Sequence, residues 1–352
     1  MTDNRDRNSW IIRDYRFGDE KQINALFNAV FQTERPLENW FWKFDENPLK
    51  PEKYMCLAER DSKILAMYPC LPSCFRYFQT RCVVLQAVDN CVHNDLRKGL
   101  KRQGIFLKVL HGLVEQAIRK GCAFGFGFPT DEHFRYGEKK LGYLSVGQLP
   151  VLQKNLSGHK SGGMVIKRIF SGIRNNMTRK GDGRFIVREV RRFGKEFDRL
   201  WAGTASLFKI AMERDAKFLN WRYIDNPAGS YKCLAVYASG DEIPCGYIVG
   251  RVRDGDAGMG LIFDFVLNGP EQAGAALLEY LADYFLRRGV RVMECRMFEH
   301  VPMYPILVAF GFQPIPHAIK VTSFLFDKVK IDREALARKE NWYLTLGDSD
   351  TD

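Results

Sequence analysis

Two halves of this sequence carry the same landmarks in the same order, so a fold that suits one half must also suit the other. Ile12-Arg-Asp-Tyr-Arg-Phe-Gly18 resembles Val187-Arg-Glu-Val-Arg-Arg-Phe-Gly194. Each is a short strand pattern followed by a glycine turn and an amphipathic helix. Trp42-Lys-Phe-Asp-Glu-Asn47-Pro48 matches Trp221-Arg-Tyr-Ile-Asp-Asn226-Pro227, and Tyr54-Met-Cys-Leu-Ala58 matches Tyr231-Lys-Cys-Leu-Ala235. Arg119-Lys-Gly121 and Arg287-Arg-Gly289 each close a long apolar-striped helix with a glycine, the usual left-handed cap. Leu141-Gly-Tyr143 then answers Phe310-Gly-Phe312. The offsets stay between 168 and 179 residues and never change order, which marks a tandem duplication.

Each half reads as strand, helix, a Trp/Asn-Pro turn, strands, a long helix, strand, helix and strand. Strands that lead into helices and return as strands imply an α/β chain with a mixed, partly parallel sheet. In the first half the expected strands are 54–59, 64–69, 83–92 and 122–128, with a last one near 143–151. The expected helices there are 105–120 and one around 133–140. The second half gives strands 232–237, 245–252, 260–266 and 290–298, a helix over 270–288, and a short helix ending at Phe310.

A length of 352 residues suits two domains of roughly 100–200 residues each. The 53 Lys and Arg against 42 Asp and Glu leave a charge of +11, and much of it is local. Between Lys154 and Lys180 stand seven bases (154, 160, 167, 168, 174, 179 and 180) and no acid, among Ser-Gly and Gly-Asp-Gly punctuation. The expected organisation is therefore an N-terminal domain over 1–152, a basic linker over 153–183, a C-terminal domain over 184–330 and a tail over 331–352. Met164, Ile169 and Ile173 fall at helical spacing among the linker bases. That helix would bridge the domains, lie on an anionic membrane surface, or hold an acidic partner such as an acyl carrier protein.

The polar start and the lack of an apolar run of about 18–20 residues point to the cytoplasm. Nine cysteines, odd in number and without Cys-x-x-Cys pairs, read as reduced buried thiols. Cys70, Cys74 and His93 lack the second pair that a zinc site needs, so no metal is expected.

One stretch carries chemistry. Asp89-Asn-Cys-Val-His93 reads as a strand, and Lys101-Arg-Gln-Gly104-Ile-Phe106 opens the long helix after it. Backbone N–H groups at a helix start are unpaired and carry partial positive charge. A glycine there lets a diphosphate approach, and Arg97, Lys98, Lys101 and Arg102 would attract it. The second copy has Asn268-Gly-Pro-Glu-Gln272 at this place, with no base, an added acid and a proline lacking its N–H.

This order of elements, with these motifs on it, resembles the GNAT superfamily of N-acyltransferases, and the duplication resembles its tandem-domain members. Phe124-Gly-Phe-Gly-Phe-Pro129 looks like that family's fifth strand, and Leu141-Gly-Tyr143 follows its fourth helix. The resemblance covers nearly the whole chain in two copies. The acyl-CoA loop departs from the family pattern, with Lys101 where Arg or Gln is usual and Phe106 where a small residue is usual. The resemblance implies acetyl-CoA, or another acyl-CoA, as co-substrate, held by Cys91, Val92 and His93 on the strand and by Lys101, Arg102, Gln103, Gly104, Ile105 and Phe106 on the loop and helix. It implies a carbonyl polarised by a backbone N–H at Cys91–Val92. Candidate bases are Asp89 and His93, whose even spacing puts them on one strand face. Tyr136 is the phenol nearest the family's acid.

Three functions remain open. The first is acyl transfer, by default acetyl, from acyl-CoA to a small amine by direct attack. The second is a transfer-RNA-dependent aminoacyltransferase of the Fem type, which the net charge suits. The Lys101–Phe106 loop speaks against it, and nucleic acid is not the expected partner. The third is a CoA-binding protein without turnover. One acyl-CoA per chain, in the first copy, follows from the difference between the two helix starts.

Overall fold

A computed structural model describes residues 10–50, 52–96, 101–158, 184–327 and 330–350, without the side chains of Lys101, Arg102, Gln103, Tyr136 and Lys140. The first copy runs β1 (Ile11–Asp14), α1 (Glu20–Phe31), α2 (Leu37–Phe44), β2 (Tyr54–Arg60), β3 (Lys63–Tyr77), β4 (Thr80–Ala87) and β5 (Cys91–Val92). It continues with α3 (Lys101–Arg119), β6 (Phe124–Gly127), α4 (Asp131–Lys140) and β7 (Leu144–Asn155). The second runs β8 (Phe185–Glu189), α5 (Lys195–Thr204), β9 (Ile210–Met212), α6 (Ala216–Leu219), β10 (Lys232–Ala238), β11 (Gly246–Arg253) and β12 (Asp256–Leu267). Then come α7 (Glu271–Leu286), β13 (Val292–Arg296), α8 (Tyr304–Phe310) and β14 (Gln313–Leu325), followed by α9 (Arg333–Ala337) and β15 (Trp342–Tyr343). The expected helix ends hold: Gly121 and Gly289, at φ 71° and 79°, sit just past α3 and α7.

All strands join one sheet, ordered β1-β2-β3-β4-β6-β14-β7-β13-β12-β11-β10-β8 along its main path. The copies are not laid side by side as closed units. β7, from the first copy, pairs with β13 of the second, while β14, from the second, pairs with β6 of the first. β7 and β14 also pair with each other. Each copy thus lends its closing strand to the other's sheet.

Apolar side chains cover both sheet faces. On one, α3 sets Ile105, Val109, Leu113 and Ala117 against Cys56, Ala66 and Tyr68. The approach is close, because a Cβ at Gly112 would come within 2.4 Å of Cys56 Sγ. The other face packs Trp40 and Phe44 of α2 in a core that continues into the second copy. All nine cysteines are free, and six are buried.

The Trp/Asn-Pro segments are structural corners that meet each other. Trp42 and Trp221 stack, and each donates its indole N–H to the other's carbonyl oxygen. The segment read as a tail is core instead: Trp342, Tyr343, Leu344 and Leu346 are buried, and β15 pairs with β9. At its end Asp348 meets the Arg214 guanidinium at 2.7 Å, and Arg214 also holds Asp264. The phenols of Tyr223, Tyr247 and Tyr343 donate to Asp264 as well. Most of the basic linker, residues 159–183, lies outside the described residues. No helix among the described residues is long and apolar enough to cross a membrane.

Candidate active site

β4 and β6 run parallel and stay in register for three residue pairs, Val84 with Phe124, Leu85 with Gly125 and Gln86 with Phe126. Beyond them the strands part. Gly127 keeps only its pairing to Thr322 of β14 on the other edge of β6, and Asp89, at φ 53°, turns the chain after β4. The gap opens on the α3 face as a cleft of about 320 Å³. Small residues, Ala87, Gly125 and Gly127, keep it open, and a Cβ added at Gly127 would meet little but the Ala87 methyl at 3.7 Å. Leu110 and Leu113 of α3 and Phe324 and Phe326 around the end of β14 form apolar walls.

One polar side-chain atom at this apolar space, Asn90 Oδ1, is buried without a partner among the described residues. A buried oxygen left unpaired costs about 1–3 kcal/mol, which a ligand donor would recover. A second polar feature is continuous. Tyr68 and Tyr143 join their hydroxyls at 3.0 Å, and Tyr143 Oη lies 3.1 Å from His133 Nε2. His133 is set by the start of α4, where Thr130 Oγ1 accepts its backbone N–H. Burial lowers the His133 pKa, so the imidazole is neutral at pH 7. Burial pushes Tyr143 up to about 12, so its phenol keeps its proton. Gly137 makes room for that ring, since a Cβ there would lie on it. The Phe106 ring sits 5.6 Å from both Tyr68 and His133 at the same cleft.

The residues expected from the sequence are dispersed. Gly104 is exposed in the first turn of α3, where a Cβ would touch nothing within 4 Å among the described residues. Ile105 is buried in the core rather than offered to a ligand. The side chains of Lys101, Arg102, Gln103 and Tyr136 lie outside the described residues, as does the loop 97–100. Cys91 and Val92 are buried on opposite faces of β5. The His93 N–H is already given to the Leu65 carbonyl.

Asp89 and His93 do not form one site. Asp89 is gripped by Arg35 at 2.6 Å and Lys43 at 2.7 Å, whereas His93 turns to Asp95 at 3.5 Å. Burial alone would raise the Asp89 pKa, but Lys43 and Arg35 outweigh it and hold the carboxyl below its usual value. A carboxylate neutralised by two cations is a poor proton acceptor, which corrects the expectation of a base there. Asn90, His133 and Tyr143 were not picked out from the sequence. Only Tyr143 left a mark there, as the last residue of Leu141-Gly-Tyr143.

In the second copy α7 packs closely on the sheet: Phe265, Leu267 and Ile306 lie 3.1–3.3 Å from where a Cβ on Gly274 would stand. Among the described residues no group of His, Cys, Asp and Glu is placed to hold a metal.

Solved structures of acyltransferases share this arrangement of strands and helices over most of the chain. A probable N-acyltransferase of unknown function from Enterococcus faecalis superposes with a TM-score of 0.64 at 10% identity, covering 90% of this chain and 73% of that one. The chain has the GNAT fold, twice. A GCN5-related N-acetyltransferase from Anabaena variabilis gives the same TM-score of 0.64 at 11% identity, covering 91% of this chain and 73% of that one. N-myristoyltransferase from Saccharomyces cerevisiae, with bound myristoyl-CoA, gives 0.55 at 11% identity, covering 90% of this chain and 82% of that one. No protein-family model and no curated protein matches the sequence. At these identities the shared property is the GNAT fold itself.

Proposed function

We propose that the protein is an acyl-CoA-dependent N-acyltransferase, with acetyl as the default acyl group and one acyl-CoA held per chain in the first copy. The observation that carries this reading is the cleft between β4 and β6, with Asn90 Oδ1 unpartnered among the described residues on its wall. An amide-bearing pantetheine arm brings a donor for that oxygen, and the open Gly104 at the start of α3 suits the diphosphate. The second copy is less suited to a diphosphate, because its helix begins with Pro270, which lacks an N–H, and Glu271, which adds negative charge.

A thioester supplies an activated carbonyl. The attacking nitrogen forms the C–N bond, the C–S bond breaks, and the proton shed by the amine balances the one taken up by the sulfur. The Tyr143 O–H, protonated and held between Tyr68 and His133, is the donor we assign to the sulfur as charge builds there. Neutral His133 next to it serves as a relay, returning the proton on one ring nitrogen to the phenolate as it takes up at the other the proton that the amine releases.

Titration calorimetry with acetyl-CoA tests the reading. It predicts one site per chain, lost in Gly127→Leu and in Gly104→Glu without loss of fold. Two equivalent sites, or normal binding in both variants, would overturn it. Thiol release in the presence of amine pools separates a transferase from a CoA-binding protein that never turns over.

A further inference from the structure

Side chains along a regular strand alternate between the two faces of its sheet, and the chain around β4 breaks that rhythm once. Leu85 and Ala87 line the cleft on the α3 face. Gln86 faces a second pocket, lined also by Trp42 and Lys43 of α2, and Val88 packs in the core on that side. In step with these, Asp89 would face the cleft and Asn90 would turn away from it. The structure has the reverse. Asp89 meets Arg35 and Lys43 on the α2 side, and Asn90 lines the cleft. Val88 and Asp89 thus share a face. Alternation resumes one residue out of phase, with Cys91 in the core on the α2 side and Val92 in the core under α3.

The change of step lies in the backbone of Asp89, at φ 53°. Few residues other than glycine take this left-handed angle, and Asn and Asp do so most readily. In the second copy no residue from 256 to 267 has a positive φ, so β12 has no such turn. A clamp of charges holds the turn in place. The Asp89 side chain is only 6% exposed, and its two oxygens accept from Arg35 at 2.6 Å and from Lys43 at 2.7 Å. Both cations are themselves fixed. Arg35 donates its Nε–H to Asn24 Oδ1 of α1 and lies 3.7 Å over the Phe27 ring, while Lys43 also holds Asp350 at 2.9 Å. Two cations meet two carboxylates, so the charges of the clamp balance.

We propose that Asp89 is a positioning residue for acyl-CoA, whose clamped left-handed turn carries the Asn90 side chain into the cleft. The proposal rests on the transferase reading above and adds the residue that sets its cofactor contact. Asp89 touches no ligand itself. It acts through Asn90, whose Oδ1 accepts a pantetheine N–H only from the cleft side of the sheet.

A double-mutant cycle on acetyl-CoA affinity, measured by calorimetry on the full chain, tests this. Asn90→Ala should weaken binding about 3- to 10-fold. Asp89→Val, whose branched side chain disfavours the left-handed angle, should weaken it equally. The double variant should bind as Asn90→Ala does, within about twofold, because Asp89 acts only through Asn90. Asp89→Asn tolerates the angle and should stay within about twofold of the unaltered protein. Losses that add in the double variant, a loss in Asp89→Asn as deep as in Asp89→Val, or unaltered binding in Asp89→Val overturn the proposal. Should Asp89→Val fail to fold, adding Arg35→Leu removes the cation it strands, and the same cycle is run on that pair. If acetyl-CoA does not bind the unaltered protein, the reading of the cleft falls. The crystal structure of Asp89→Val then still decides the role of Asp89: Asn90 should leave the cleft wall, and its staying there overturns the proposal.

Discussion

Trp42 and Trp221 hand each other an indole hydrogen bond, at 2.8 and 2.9 Å, across rings stacked 5.1 Å apart. The pair is self-complementary because the two residues are one position of the repeat, seen twice. Each bond ends on the main-chain carbonyl of the opposite tryptophan, so removing one ring breaks the bond it donates and the stack, and leaves the other indole its acceptor. Trp42→Ala and Trp221→Ala should each cost about 3 kcal/mol in urea unfolding. The double variant should cost less than the two together, with a coupling of about 1 kcal/mol or more. Strict additivity would show that the rings act independently.

Asp264, Arg214 and Asp348 form a buried line of alternating charge that ties the end of the chain to the second copy. Burial raises the Asp348 pKa although Arg214 opposes it, so the pair depends on its geometry. Arg214→Met leaves two acids facing each other in a space with no water to screen them. It should destabilise the fold by about 3–5 kcal/mol. It should also make residues 339–350 the first to be clipped in limited proteolysis. Protection of that segment in the variant would show that its apolar residues suffice to hold it.

The phenol of Tyr143 can be moved without being removed. Tyr143→Phe should lower kcat about 10- to 100-fold while acetyl-CoA affinity stays within about threefold. Gly137→Ala, which crowds the ring and keeps its hydroxyl, should reproduce most of that loss. Full activity in Gly137→Ala, in a correctly folded protein, would remove Tyr143 from the chemistry.

Glu279 on α7 titrates near neutrality. Burial, then the charge of Asp283, raises its pKa to about 7, with Lys154 opposing them. The folded state thus holds a proton on Glu279 that the unfolded chain releases from about pH 4.5 upward. Its contribution to stability is greatest in acid and is lost as pH rises through about 7. Glu279→Gln should therefore raise the melting temperature at pH 8 and change it little at pH 5. An equal shift at both pH values would point to packing rather than charge.

The element order and the helix caps could be read from the chain because those features are local, or repeat at a fixed distance. Gly121 and Gly289 are in the sequence for their own backbone angle, and nothing distant is needed to interpret them. The cleft was different. Phe324 reaches it on a strand borrowed from the other copy, and the phenol of Tyr143 acquires meaning only from Tyr68, 75 residues earlier. Asp89 reads as a base because its partners, Arg35 in the loop before α2 and Lys43 on α2, lie 54 and 46 residues away with no marked charge pattern. The segment after residue 330 read as a tail because its strand is two residues long, too short to show periodicity.

The exchange of closing strands sets a timetable for synthesis. Gly127, at the end of β6, takes its neighbour Thr322 from 195 residues further along the chain. At about 5–20 residues per second, that neighbour leaves the ribosome on the order of 10–40 s later. For that interval the first copy is complete in sequence and unfinished in structure, with the edge of β6 unpaired and open to any other strand. The cleft stays without its Phe324 and Phe326 wall until β14 and the residue after it have been made. Copies born from one duplication have thus become a single unit of manufacture, and neither can be finished before the other.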